Sequence, residues 1–271
     1  MVLHTRGKEP SLYRAVLRYP GAKWRMSDFI LRYMPKHHSY LEPYFGSGAV
    51  LFRKEPSPIE TVNDINGDVV NLFRIVRDEA AALAEYVAGI PYARQEYEAA
   101  LVEAEERTPI ERAARFLTIA WQSYGARADG KTCGWKRDIA ARESAYAVRN
   151  WARLPDWILT AQERLKQVQI ECRDAIELIE RFNNPRVLIY ADPPYMHETR
   201  SCRQSYRYEM NEEEHMQLLD ALNRHSGAVM LSGYACELYN RELKRWKRVE
   251  MDTVVTSGAI KNECLWIKER H

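Results

Sequence analysis

The residues best suited to chemistry are Asp192, Pro193, Pro194 and Tyr195, which follow the apolar run Val187-Leu188-Ile189-Tyr190-Ala191. A run of Val, Leu and Ile ended by an acid and two prolines reads as a buried strand stopped at its carboxyl end, because proline supplies no ladder donor. Ligands of open α/β sheets bind at that edge. The prolines fix φ near −65° and stiffen the loop, so the Asp192 carboxyl, the Pro193 carbonyl and the Tyr195 ring are expected to face one space. Two oxygen acceptors and a flat apolar face suit a planar base with an exocyclic amino group. An Asp-Pro-Pro turn is also a common strand terminator, so the rest of the chain must supply the context.

Four other stretches carry chemistry. Tyr19-Pro20-Gly21-Ala22-Lys23 is a turn ahead of a helical pattern, and it presents an aromatic and a cation. Leu41-Glu42-Pro43-Tyr44-Phe45-Gly46-Ser47-Gly48 reads as a strand entering a glycine turn and then a helix, where a ligand can approach the backbone closely. The third glycine of a dinucleotide fingerprint is absent, and Glu42 would repel a pyrophosphate while suiting a ligand that bears an ammonium. Asp64 ends a second strand that begins at Ile59, roughly 20 residues beyond the glycines, the place where an acid takes ribose hydroxyls. Asp174 follows a short strand, Val168 to Glu171, near where the adenine amino group of a cofactor would lie.

These segments need a sheet to position them. With 271 residues, 46% hydrophobic and 29% charged, the chain can bury one α/β core with a smaller second domain. Five scattered cysteines form no Cys-x-x-Cys pair, which argues against a disulfide framework or a zinc site, and none follows a proline, which disfavours cytosine carbon-5 chemistry. Met1 to Pro20 has no signal-peptide core, and no apolar run approaches membrane-spanning length, so a cytoplasmic protein without membrane contact is expected.

The net charge is only +2, so any nucleic-acid footprint must come from uneven distribution. Strand patterns vanish between about Glu85 and Pro155. Residues 85 to 106 carry six acids against Arg94, whereas residues 107 to 153 hold ten basic residues against four acids, interleaved with Trp121, Tyr124, Trp135, Tyr146 and Trp151. Tyr124, Arg127, Lys131, Trp135, Lys136 and Arg137 sit on a glycine-containing loop that can read a nucleic-acid backbone and base edges. Arg200, in the polar loop after Tyr195, is expected to touch the same substrate. The basic stretch Arg241 to Glu250 reads equally as an extension of that surface or as a charged strand end.

Taken in order, Tyr19-Pro20-Gly21-Ala22-Lys23, Leu41-Glu42-Pro43-Tyr44-Phe45-Gly46-Ser47-Gly48-Ala49-Val50, Asn63-Asp64-Ile65-Asn66 and Asp192-Pro193-Pro194-Tyr195 resemble the motifs of Dam-type DNA adenine methyltransferases, often carried by phages or prophages. The resemblance spans most of the chain. It implies an α/β fold, a Rossmann-like methyltransferase sheet (residues 1–84 and 156–271) with an inserted, mainly helical target-recognition domain (85–155). It also implies S-adenosylmethionine as cofactor, with Tyr19, Lys23, Asp64 and Asp192 touching or bordering it and Glu42 and Gly46 lining the same pocket.

The implied reaction is direct methyl transfer to the 6-amino group of an adenine flipped out of double-stranded DNA, without a metal, by a monomer or weak dimer. The loop Arg127 to Arg137 departs from the Dam target-recognition sequence, so GATC specificity does not transfer. RNA adenine and protein glutamine methyltransferases share the tetrapeptide, and a DNA-binding protein with a decayed site is a rival of another class. The basic aromatic insert and the intact Lys23, Asp64 and Asp192 favour the DNA enzyme.

Overall fold

The computed structural model describes residues 13–102, 106–124, 134–137, 146–196, 207–254 and 260–270. Arg127, Lys131 and Arg200 lie outside them. Among the described residues the strands are β1 (Ser39–Glu42), β2 (Ile59–Asn63), β3 (Val168–Glu171), β4 (Val187–Ala191), β5 (Val229–Gly233), β6 (Lys247–Val254) and β7 (Ile260–Lys268). They form one sheet of order β3-β2-β1-β4-β5-β7-β6. β1 to β5 run parallel, and β7 is antiparallel to both β5 and β6. The chain moves outward from β1 to β3 and then returns to β4 on the other side of β1. The carboxyl ends of β1 and β4 therefore flank the point where strand order reverses, the crevice in which open α/β sheets bind ligands.

Alternation along the strands divides the sheet between two cores. Tyr40, Leu188, Tyr190, Met230 and Ile267 face one, while Leu41, Ile189, Ala191, Leu231 and Trp266 face the other. The first is covered by α1 (Ser27–Arg32), α2 (Ala49–Arg53), α3 (Gly67–Asp78), α4 (Ala80–Ala88), α6 (Pro109–Gln122) and α7 (Ala147–Leu165), with α5 (Arg94–Leu101) packed on α6. The second is covered by α8 (Ala175–Arg181), α9 (Glu212–Arg224) and α10 (Glu237–Glu242). Apolar helical faces meeting a sheet that is apolar on both sides account for this three-layer arrangement.

Residues between 85 and 155 are helical where described, apart from short connections and a single antiparallel bridge from Ser123 to Trp135. A Thr108–Glu111 capping box and Pro109 in the first turn start α6. α7 begins at Ala147 and runs through Pro155, so one continuous helix crosses the stretch where the sequence composition changes.

Candidate active site

A cavity of about 600 Å³ opens at the carboxyl edge of the sheet, and Tyr19, Lys23, Glu42, Gly46, Asp64, Asp174, Asp192 and Pro194 all contribute to its wall. The glycine turn, Asp192 and Pro194 thus border one continuous space, while Pro193 and Tyr195 are not among its lining residues and Tyr195 is buried. Gly46 and Gly48 have positive φ, +49° and +68°. A Cβ on Gly46 would come within 3.1 Å of the Tyr19 ring, and one on Gly48 would meet the Phe45 ring at 2.5 Å. Asp64 fixes the turn: its carboxylate accepts from the Gly46 N–H at 2.8 Å and from the Asn66 N–H at 2.9 Å. Asn63 ties neighbouring strand ends together by donating to the carbonyls of Pro43 and Arg173, each at 3.0 Å.

Lys23 enters from a 3-10 turn (Lys23–Arg25) and reaches the end of β4. Its ammonium lies 2.8 Å from Asp192 Oδ2 and 3.3 Å from Glu263 Oε1, and it donates to the Gly21 carbonyl at 2.7 Å. It also sits 4.8 Å from the centroid of the Tyr195 ring. The Tyr195 hydroxyl donates to Glu263 Oε1 and stands 3.3 Å from Asp192 Oδ1. The Tyr234 ring meets Tyr195 edge-on at 4.8 Å.

Charge in the cavity is lopsided. Glu42, Asp64, Asp174, Asp192, Glu209 and Glu214 line it against Lys23. Burial pushes Glu42 up to about 8, aided by the negative charge of Asp192 and opposed by the hydrogen bond from the Tyr40 hydroxyl. Burial raises Asp64 to about 6 against the two backbone N–H donors. Asp192 is also raised to about 6, by burial first, with Lys23 pulling down and Glu263 pushing up. The Tyr195 hydroxyl is held well above its ordinary range by burial and by both neighbouring acids, so it remains a donor. An acid-rich cavity that disfavours its own ionisation favours a cationic ligand and disfavours a pyrophosphate.

The other expected residues have more local partners. Asp174 lines the cavity as the N-cap of α8, its Oδ1 accepting from the backbone N–H of Ile176 and Glu177, each at 2.9 Å. Trp135 is held by Tyr92 at 5.7 Å, by Arg94 over its ring and by a hydrogen bond to Gln122. The Tyr92 hydroxyl donates to the Lys136 carbonyl and the Tyr124 hydroxyl to the Arg137 carbonyl, which anchors this strip while the Arg137 side chain stays exposed.

The basic stretch before Glu250 lies back along the sheet from Glu263. Lys247 pairs with Ile267 while Met251 pairs with Glu263. Lys247 and Arg248 therefore lie roughly 10–13 Å back from the level of Glu263 along the strand.

Sequence reasoning did not assign Glu263 or Tyr234 to the site. Antiparallel pairing of Gly233 with Cys264 brings Glu263 to the end of β5, beside Tyr234. The available signal was an acid directly before the buried run Cys264 to Ile267. Among the described residues no group of His, Cys, Asp or Glu could hold a metal ion, and no helix is long and apolar enough to cross a membrane.

A doubly wound sheet with an antiparallel β7 between β5 and β6, bearing a glycine turn and an Asp-Pro-Pro-Tyr loop over one acidic cavity, defines a Rossmann-like methyltransferase. The family model for D12 class N6 adenine-specific DNA methyltransferase matches residues 19–256, and the chain belongs to that family. It is 31% identical over 70 residues to a DNA N-6-adenine-methyltransferase of Escherichia phage P1, covering 26% of this chain and 9% of that protein. It is 36% identical over 64 residues to the DNA adenine methylase of Escherichia coli (strain K12), covering 24% of this chain and 23% of the relative. These matches therefore span less than a quarter of either relative. A longer match, 22% identical over 248 residues, joins 80% of this chain to 82% of the Type II methyltransferase M.MjaIII of Methanocaldococcus jannaschii. A solved SAM dependent methyltransferase from Agrobacterium tumefaciens aligns with 90% of this chain and 59% of its own at TM-score 0.40 and 10% identity.

Proposed function

We propose that this chain transfers a methyl group from S-adenosylmethionine to the 6-amino group of adenine in double-stranded DNA. The observation that carries the reading is that Asp192 and the Gly46–Asp64 turn line the same cavity, so an acceptor for the amino group adjoins a pocket suited to a cation. Membership of the D12 family supports the choice of substrate. When bound, the cofactor supplies an electrophilic methyl group on a sulfonium. Its positive charge and ammonium suit the raised carboxyls of Glu42, Asp64 and Asp192, whose own ionisation becomes easier beside a cation.

What the chain contributes is orientation. An amino group conjugated to a purine is a weak nucleophile because its lone pair is delocalised. Hydrogen bonds from that group to Asp192 and the Pro193 carbonyl favour a more tetrahedral nitrogen and direct its lone pair to the electrophile. Asp192 need not be a strong base, since the proton becomes acidic once the nitrogen is alkylated. The base must leave the duplex to reach this depth, and stacking on the Tyr195 ring, about 1–3 kcal/mol, requires the Lys23 ammonium to swing off that ring. Residues 85–155 carry target recognition in this reading, and Tyr124, Trp135, Lys136 and Arg137 are the described residues assigned to DNA contact.

The test is transfer of a tritiated methyl group from S-adenosylmethionine to duplex DNA, RNA and protein in parallel. Duplex DNA becomes labelled, and Asp192→Ala lowers kcat by about 100-fold or more at saturating cofactor. Labelling of RNA or protein alone, or full activity in Asp192→Ala, refutes the assignment.

A further inference from the structure

We propose that Glu263 is a positioning residue for methyl transfer: by taking the single hydrogen of the Tyr195 hydroxyl, it leaves Asp192 Oδ1 open to the amino group of the target adenine. The inference rests on the methyl-transfer reading and assigns a role to a residue on β7, outside the motifs that define the site.

A tyrosine hydroxyl has one hydrogen to give, and two carboxylates compete for it. Glu263 Oε1 receives it, and Asp192 Oδ1 stands 3.3 Å from the same hydroxyl oxygen. The other Asp192 oxygen, Oδ2, faces the Lys23 ammonium at 2.8 Å. Oδ1 is therefore the oxygen that must meet an incoming N–H, and it is the strongest acceptor while the hydroxyl points to Glu263, because a hydroxyl turned to it takes one of its two lone-pair sites and weakens the other. Glu263 is itself held in place, since its side chain is 8% exposed and its Oε1 lies 3.3 Å from Lys23 Nζ. The antiparallel register of β7 against β5 supplies this carboxylate, because Cys264 pairs with Gly233 and Glu263 falls one residue beyond, beside Lys23 and Tyr195.

Removing the Glu263 carboxylate turns the hydroxyl toward Asp192, where it competes with the substrate amino group. One competing hydrogen bond of ordinary strength corresponds to about a tenfold loss of rate. The loss falls on kcat, because the amino group is engaged at the reacting centre.

The experiment is a double-mutant cycle with methyl transfer to a mixed-sequence DNA duplex, cofactor binding by calorimetry and urea unfolding measured for each variant. Glu263→Ala is expected to lower kcat about tenfold in the parent and less than threefold in a Tyr195→Phe background, where no hydroxyl competes, with cofactor affinity held within threefold. Glu263→Gln, which keeps an acceptor oxygen, restores kcat to within threefold of the parent. Glu263→Met fills the same volume without accepting and replaces the alanine variant if that one does not fold. Equal losses in both backgrounds, or no loss in either, overturn the role of Glu263 and leave the methyl-transfer reading intact. Absence of transfer by the unmutated chain removes that reading and this inference together.

Discussion

Tyr40 donates its hydroxyl hydrogen to Glu42 Oε2 across 2.8 Å, inside the sheet at the end of β1. Burial nonetheless raises Glu42 to about 8, so near pH 7 the ligand-free protein holds it mainly protonated. A cation entering the cavity favours the ionised form, so binding releases a proton and tightens as pH rises from about 6 to about 8, then levels off. Asp64 and Asp192, both near 6, are largely ionised over the upper part of that window. Calorimetry of S-adenosylmethionine binding in buffers of different ionisation enthalpy measures the proton. Glu42→Gln should flatten the dependence and lower affinity, and an unchanged slope would remove Glu42 from the pocket's electrostatics.

The same shift predicts a stability effect of known sign. A carboxyl whose folded pKa is raised stabilises the fold below its unfolded pKa and loses that contribution as pH rises through the folded value, here about 8. At pH 9 the ligand-free Glu42→Gln variant should therefore unfold at a higher temperature than the parent. A lower midpoint at that pH would contradict the assigned burial of charge.

The glycine turn separates two kinds of strain. Gly46→Ala faces a positive φ and a 3.1 Å approach to the Tyr19 ring, whereas Gly48→Ala adds contacts at 2.5 Å with Phe45 and 2.9 Å with Phe52. The left-handed conformation alone costs roughly 1–2 kcal/mol and overpacking adds about 1–3 kcal/mol. Urea unfolding should rank Gly48→Ala below Gly46→Ala, and the reverse order would show that the aromatic cluster yields.

Glu60 lies buried at 3% exposure between Lys54 and Arg164 and accepts from both. Burial opposes its ionisation, but the hydrogen bonds from Arg164 and Lys54 prevail and hold it below the usual carboxylate range. Its contribution to stability is present above the unfolded pKa and lost as pH falls through the lower folded one. Glu60→Ala leaves two buried cations without that partner, for a predicted loss of about 3–5 kcal/mol in urea unfolding at pH 7. A loss under about 1 kcal/mol would mean water reaches the cluster.

Arg137 is exposed on a strip whose backbone is pinned by the Tyr124 hydroxyl at 2.7 Å. If it contacts a phosphate, Arg137→Ala weakens duplex binding evenly across sequences and lowers the slope of log affinity against log salt by about 0.9. Trp135→Ala should loosen the protein as well as weaken duplex binding, since that ring packs on Tyr92 and Arg94. An unchanged salt slope in Arg137→Ala would move the DNA surface elsewhere.

Local chemistry was legible in the residue order. The apolar run closed by Asp192-Pro193-Pro194, the glycine turn and the strand ending at Asp64 each announce themselves through periodicity and through proline and glycine backbone limits, and the cavity wall contains residues from all three. Other features were less visible. Pro155 read as the place where the character of the chain changes, and α7, which packs on α3 and α4, passes through it. Asp174 read as a cofactor contact and also serves as a helix cap, a role set by the turn it occupies.

The sequence by itself determined the strands that reach the site and the acids at the ends of β1, β2 and β4, because hydrophobic period and turn chemistry act over a few residues. Only the tertiary structure decided that β7 lies against β5 with β6 outside it. That long-range pairing carries Glu263 to the Tyr195 hydroxyl and sets Lys247 and Arg248 back from the cavity. Strand register is a contest among distant hydrogen-bond ladders and buried faces, and no local pattern records its outcome.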